Sequence, residues 1–504
     1  MREAGGAGTI PSRNEHAVRV GEVDSHRGPA MAATAFSLTD IDSINAAVRE
    51  WAEPGVAVHP LRIERLIVLD DALPALRDEV RRLAGRGRVL LLSDQTPKRR
   101  GHGDLLTQIE SELANVASVH TLVVPEDIEG PFHADIESSV RLSERLHEHQ
   151  LLVAVGSGSI TDGAKYARHY LHAKSNVRLP LISWPTAASV TAYTSALAVM
   201  TVEGVKRTLD SEAPDVVICD RATLRAAPVS MTQAGFGDVL ARSVSAADWW
   251  LSFELGMTDD YSAAPMRLLQ DAEQRMFERA VGVRTGAPAA VDAVTDAILL
   301  AGMAMSLMNQ TAPLSGWEHA ISHFLDLAAG AERRATALHG AQVGVATRVS
   351  ALAYERGWPR LESGRLLVET DADAARQAIE RVFRQFDARE ALLDELWRDY
   401  QKKLTRRAAS LAQRRRFVER CRAGELDSQL RSLVRSAEDV GRLLATAGAP
   451  MQFSALSPAP AIDSVRAAIA SSHLIRARFT FGDLLAEGGW LTDAAVDGLL
   501  AATL

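Results

Sequence analysis

The chain has 504 residues, 47% of them apolar and 24% charged, the balance of a globular protein long enough for two or three packed domains. A formal net charge of −8 argues against an electrostatic nucleic-acid binder. The two cysteines, Cys219 and Cys421, are too few for a disulfide framework or a thiolate zinc cage and suit a reducing compartment.

Residues 1 to about 32 are rich in Gly, Arg and Pro without periodicity, and the span 1–57 is expected to form a disordered or extended arm. Met31 is an alternative start, and the N-terminus lacks the apolar core of a signal peptide, so the expected location is the cytoplasm. From about 63 to 227, six continuous apolar runs alternate with amphipathic helical patterns. The runs are "RLIVLD" (65–70), "RVLLLSD" (88–94), "HTLVVP" (120–125), "LLVAVGSG" (151–158), "LPLISWP" (179–185) and "PDVVICD" (214–220). Such runs suit strands buried on both faces, and their alternation with helices predicts a doubly wound, Rossmann-like α/β domain with a parallel sheet over 58–228.

Beyond 228 the strand signals cease, and long helical patterns such as "GFGDVLARSVSAADWWLSFELG" and "DAVTDAILLAGMAMSLM" predict an all-α domain over 229–504. The longest apolar stretch, 297–308, is short of the roughly 18 residues of a membrane span. The basic run "KKLTRRAASLAQRRR" (402–416) reads as a solvated helix face before it reads as a phosphate surface.

The chemistry-bearing stretch is "GSGSITDGAKYAR" (156–168). The strand is expected to end at Val155, the turn to run Gly156-Ser157-Gly158-Ser159, and the helix to begin near Thr161 or Asp162. Glycines admit a ligand close to the backbone, and the unpaired amides of a helix start favour an anion such as a pyrophosphate. A structural turn with a Ser or Thr cap explains the same letters. "TAAS" (186–189) ends the next strand, and Asp94 ends an earlier one, where a carboxylate suits a ribose diol. Three strand ends with small, polar or acidic residues point to a dinucleotide.

Five motifs occur in one order: "GSGSITDGAKYAR", "PTAASVTAYTSALAV" (185–199), "GFGDVLAR" (235–242), "SGWEHAISHFLD" (315–326) and "ALHGAQVGVA" (337–346). Together with "HLIRARFTFGDLLAEGGWL" (473–491) they resemble the sn-glycerol-1-phosphate dehydrogenases, within the iron-containing alcohol dehydrogenase and dehydroquinate synthase superfamily. The resemblance covers roughly 60–500. It implies an oxidoreductase using NAD or NADP on a small polyol, phosphorylated or not, with its site in the cleft between an α/β and a helical domain. By position it assigns Gly156, Ser157, Gly158 and Ser159 to the pyrophosphate, Asp94 to the adenosine ribose, and Thr186 and Ser189 to the nicotinamide end. Asp162 and Tyr193 join the cofactor-binding set. Asp94 favours NAD, and Lys98, Arg99 and Arg100 nearby weaken that preference.

The resemblance also implies a divalent metal (zinc, nickel or iron) held by one aspartate and two histidines, and it matches the histidines to His323 and His339. The aspartate is missing: Thr191 stands in its place, and Ala341 replaces the usual glutamate after "HG". A hydroxyl is a poor ligand for a divalent ion, so a weakened metal site is expected. Asp238 or Glu318 is the candidate third ligand; failing both, a histidine acts without metal. The catalytic candidates are His323, His339, Thr191 and Lys206. Each has a plain alternative: His319 and His323 share the spacing of ordinary packed histidines, Asp238 suits a bond within its own turn, Lys206 and Arg207 suit a solvated turn, and Tyr193 suits packing against the cleft. The competing functions are a non-oxidoreductase of the dehydroquinate synthase type and an inactive nucleotide-binding protein. A small-molecule substrate, no nucleic-acid partner and a homo-oligomer, by default a dimer, complete the expectation.

Overall fold

The computed structural model describes residues 36–124, 134–386 and 390–504. The expected arm over residues 1–32 lies outside the described residues. The expected extension as far as residue 57 does not hold, because α1 (Ile41–Trp51) is a helix. Asp40 caps it by accepting from the Ser43 amide, and Ile41, Ile44, Ala47 and Val48 form one buried stripe at helical spacing. The chain then runs along the helical half, with the His59 amide donating to the Leu307 carbonyl at 2.8 Å.

Eight strands define the framework: β1 (Arg65–Leu69), β2 (Arg88–Asp94), β3 (Ser118–Val124), β4 (Leu151–Gly156), β5 (Leu181–Pro185), β6 (Leu197–Val202), β7 (Val205–Asp210) and β8 (Val216–Asp220). Six of them form a parallel sheet in the order β1-β8-β5-β4-β2-β3. Helices α2 (Leu73–Ala84) and α3 (Leu105–Leu113) bury Leu76, Val80, Leu105 and Ile109 against one face. Helices α4 (Ile136–Leu146) and α5 (Gly158–Ser175) bury Leu142, Leu146, Ile160 and Ala164 against the other. The winding therefore reverses between β4 and β2, and ligands of doubly wound sheets bind outside the strand ends at such a reversal.

β6 and β7, which the apolar runs do not announce, form an antiparallel hairpin. Its turn is Glu203-Gly204, both at positive φ (48° and 85°), the geometry of a two-residue hairpin loop. The buried Lys165 of α5 holds the approach to it, donating to the carbonyls of Ala192, Ser195 and Leu197.

No strand follows Asp220 among the described residues, which otherwise form one compact unit with the sheet. The helices that carry the argument are α6 (Val229–Leu240), α7 (Arg242–Glu254), α8 (Ala264–Glu278), α9 (Pro288–Met308), α10 (Trp317–Ala331) and α11 (His339–Gly357). α9 is 21 residues long and apolar enough to cross a membrane, but 89% of its apolar stretch is buried inside the protein, as in a core helix. The basic run at 402–416 is only partly solvated. Lys403 pairs with Asp483 at 2.6 Å, Arg407 with Glu487 at 2.8 Å, and Arg414 donates to the Arg407 carbonyl, all buried, whereas Lys402, Arg415 and Arg416 are exposed.

Candidate active site

At the reversal point, β4 ends on Gly156 and α5 begins at Gly158, three residues earlier than the sequence suggests. Ser157 caps the helix without a side-chain bond, and no acidic residue occupies the first turn. The positive end of a long helix therefore faces the edge of the sheet with its first amides available to an anion. Across the crevice, Asp94 ends β2. Its carboxylate accepts from Lys98 Nζ at 2.8 Å and from the Thr96 amide at 2.7 Å, so its charge is already balanced by a cation. Thr186 follows β5, and its amide donates to the Gly156 carbonyl at 3.1 Å, tying the two strand ends together.

Two residues of the expected cofactor set turn away from the crevice. Asp162 is buried and paired with Lys165 at 2.8 Å, because it lies one turn inside α5 rather than at its start. The Tyr193 hydroxyl is buried, donates to the Ala187 carbonyl at 2.7 Å and lies 3.3 Å from Ser189 Oγ. It braces the loop after β5. Gly158 matters for packing as well as for access: a Cβ there would lie 2.8 Å from Val190 Cγ2. Gly158→Val is therefore expected to weaken NADH binding at least about tenfold and to cost about 1–3 kcal/mol in stability by overpacking. Calorimetry and urea unfolding of the variant read both.

In the helical half, Asp238 of α6, His319 of α10 and His339 of α11 converge, with one candidate ligand atom from each within 4.8 Å of the others. His319 Nε2 lies 3.4 Å and His339 Nε2 3.8 Å from Asp238 Oδ1, which is buried and has no hydrogen-bond partner. The remaining ring nitrogens are occupied: His319 Nδ1 faces Glu318 Oε1 at 2.8 Å, and His339 Nδ1 faces Ser322 Oγ at 3.2 Å. A carboxylate and two imidazoles, each ring oriented by a second partner, are a donor set suited to a divalent ion such as zinc. The residues present fit a metal, and they do so without Thr191, which opens a single 3₁₀ turn (Thr191–Tyr193).

The grouping corrects the assignment of His323. Its Nδ1 is engaged by the Arg476 guanidinium, which can only donate, so His323 is left as the Nε2–H tautomer. Burial and the neighbouring Arg476 hold its pKa well below the ordinary histidine value. His339 is likewise pushed down to about 3, by burial and then by Lys206. For His319, burial opposes the charge, but the neighbouring Asp238 and Glu318 carboxylates outweigh it and raise the pKa. Lys206 reaches Asp326 at 2.6 Å and is no solvated turn residue; Arg207 is buried against Glu395 and Asp399. Glu318 acts behind His319 rather than in the group of three. It shares a buried pocket with Asp248, which burial and the Glu318 charge push up to about 7.

Glycines set the spacing of these elements. A Cβ on Gly235 of α6 would fall 2.1 Å from the Ala188 carbonyl oxygen in the loop after β5. One on Gly340 of α11 would fall 2.0 Å from the Ala234 carbonyl oxygen, and one on Gly237 would fall 2.3 Å from that of Gly340. Backbone thus packs directly on backbone from the nucleotide edge to α6 and on to α11, which carries Asp238 and His339 to the same cleft.

His319 is the residue that sequence spacing could not separate from His323, since both lie on one face of α10. The signal that distinguishes them is the glutamate beside His319, whose carboxylate holds the ring; Arg476 gave no signal at all.

Residues 67–228 match the family described as iron-containing alcohol dehydrogenase. The chain is 30% identical over 311 residues to the glycerol-1-phosphate dehydrogenase (NAD(P)+) of Bacillus subtilis (strain 168), covering 61% of this chain and 76% of that one. It is 31% identical over 306 residues to the enzyme of the same name from Geobacillus stearothermophilus, covering 60% and 73%. Among solved structures, a probable glycerol dehydrogenase from Sinorhizobium meliloti 1021 superposes with a TM-score of 0.55 at 17% identity, over 88% of this chain and 98% of that one. An iron-containing alcohol dehydrogenase from Thermococcus thioreducens gives 0.53 at 18%, over 88% and 99%. These likenesses show the fold.

Proposed function

Since the chain belongs to the glycerol-1-phosphate dehydrogenases of the iron-containing alcohol dehydrogenase family, we propose that it oxidises a small polyol, glycerol 1-phosphate foremost, to the ketone with NAD or NADP. The observation that carries this reading is the Asp238–His319–His339 group, built on helices that pack through Gly235 against the loop after β5, the same loop that Gly158 at the α5 start touches.

The first turn of α5 receives the pyrophosphate, and Asp94 takes the adenosine ribose. Because Lys98 already balances Asp94, a 2′-phosphate meets less repulsion than an isolated carboxylate would exert, which favours use of both NAD and NADP. Thr186 and Ser189 line the nicotinamide end. Asp238, His319 and His339 would hold a divalent ion, with Glu318 fixing the His319 ring. When bound, that ion supplies Lewis-acid polarisation of the substrate oxygen. His323, kept neutral with its Nδ1 engaged by Arg476, would have its Nε2–H available to donate a hydrogen bond to the substrate. In the reaction the carbinol hydrogen leaves as hydride to the oxidised nicotinamide ring, the hydroxyl proton passes to solvent water, and the C–O single bond becomes a carbonyl.

The test is spectrophotometric. Protein loaded with zinc or nickel should oxidise NADH or NADPH in the presence of dihydroxyacetone phosphate, and a chelator should remove that activity. NADH binding without turnover of any ketose, ketose phosphate or aldehyde would overturn the dehydrogenase reading.

A further inference from the structure

Lys206 and Arg476 act on the histidine cluster and Arg207 and Arg478 act on Arg476; three of these four cations are accounted for. Lys206 is paired with Asp326, and Arg207 with Glu395 and Asp399. Arg478 donates to the Ser315 carbonyl at 2.5 Å and to Thr311 Oγ1 at 2.6 Å, so it fastens the start of α10. Arg476 differs. It follows the short turn Ser472–Ile475 in extended backbone (φ −140°, ψ 153°), and its hydrogen bond is to the neutral His323 ring.

Among the described residues no carboxylate lies within ion-pair distance of Arg476; burial and then Arg478 and Arg207 disfavour its charge, and Asp399 and Glu318 offset this only from beyond that distance. A partly buried guanidinium without a counter-ion is costly, and a missing anion is the simplest remedy. Arginine presents several N–H donors in a planar fork, so even with one of them spent on His323 it suits phosphate geometry.

We propose that Arg476, seated on His323, is the anchor for the phosphoryl group of the substrate and so sets the preference for a phosphorylated polyol over the free one. The inference rests on the dehydrogenase reading above. Through His323 the anchor is tied to α10, the helix that also carries His319, so binding of the phosphate and placement of the alcohol carbon share one support.

The experiment compares the wild type, Arg476→Gln and Arg476→Lys in the metal-loaded full-length protein. Arg476→Gln is expected to raise KM for glycerol 1-phosphate roughly 100-fold, with a smaller change in kcat, and to abolish inhibition by inorganic phosphate. Arg476→Lys, which keeps the charge but loses the fork, should raise KM by about tenfold, and it decides the matter if the glutamine variant fails to fold. Calorimetric titration with inorganic phosphate should give heat with the wild type and none with Arg476→Gln, and NADH titration verifies the fold. The proposal is overturned if Arg476→Gln keeps the wild-type ratio of kcat/KM for glycerol 1-phosphate over glycerol, or binds inorganic phosphate as the wild type does. If the wild type turns over no polyol, the dehydrogenase reading fails, while the phosphate titration still decides the role of Arg476.

Discussion

Asp238→Asn is expected to lower zinc or nickel affinity by more than about 100-fold, beyond the 10- to 100-fold loss that an orienting partner alone can cause. The variant keeps the shape of the side chain and removes the one carboxylate among the three converging donors. His319→Ala should act similarly, because it removes the ring that Glu318 holds toward Asp238. His323→Ala should change affinity by less than about tenfold, since its Nδ1 is committed to Arg476 and its ring lies outside the group. Titration against a competing chelator reads all three. The same assay applied to Thr191→Asp separates two sites: if Asp238 is the ligand, an added carboxylate at 191 brings little gain.

Gly340→Ala is expected to destabilise the protein by about 3 kcal/mol or more, the upper end of overpacking costs. The new Cβ would lie 2.0 Å from the Ala234 carbonyl oxygen, a backbone atom of α6 that cannot swing aside as a side chain would. Relief requires α11 to move off α6, which separates His339 from Asp238, so metal affinity should fall as well, by at least about tenfold. Urea unfolding should show a lower midpoint with an unchanged slope. Gly330 in α10 is the control: a Cβ there meets nothing within 4 Å, and Gly330→Ala should be neutral or stabilising by up to about 1 kcal/mol.

The sheet was legible because buried parallel strands leave continuous apolar runs, and all six runs are strands of the sheet. The β6–β7 hairpin was not, since its alternation is short and its turn is Glu-Gly rather than Asn-Gly. α1 was overlooked because a Gly- and Pro-rich stretch precedes it, although Asp40 and the Ile41–Ile44–Val48 spacing carry a helix start. At the site, the motif letters located the right helices but not the right atoms. Which of two histidines four apart turns inward depends on Glu318, Arg476 and the approach of α6, and Arg476 is 153 residues away from His323. The "GFGD" and "HG" glycines look like turn glycines in the sequence, yet they lie in helices, where they permit backbone contact between α6 and α11. Asp162 looks functional after the Gly156–Ser159 turn and Tyr193 after "TAAS", and burial turns both into braces.

The central claim is that Asp238, His319 and His339 hold one divalent ion in the cleft entered by the α5 start. Crystals grown with zinc and NADH, measured at the zinc absorption edge, test it directly. One anomalous peak is expected, at roughly 2.0–2.2 Å from Asp238 Oδ1 and from the Nε2 atoms of His319 and His339, with the pyrophosphate over the first turn of α5. A zinc peak on His323 and His339 without Asp238, or no peak in a cleft that holds NADH, would contradict the account.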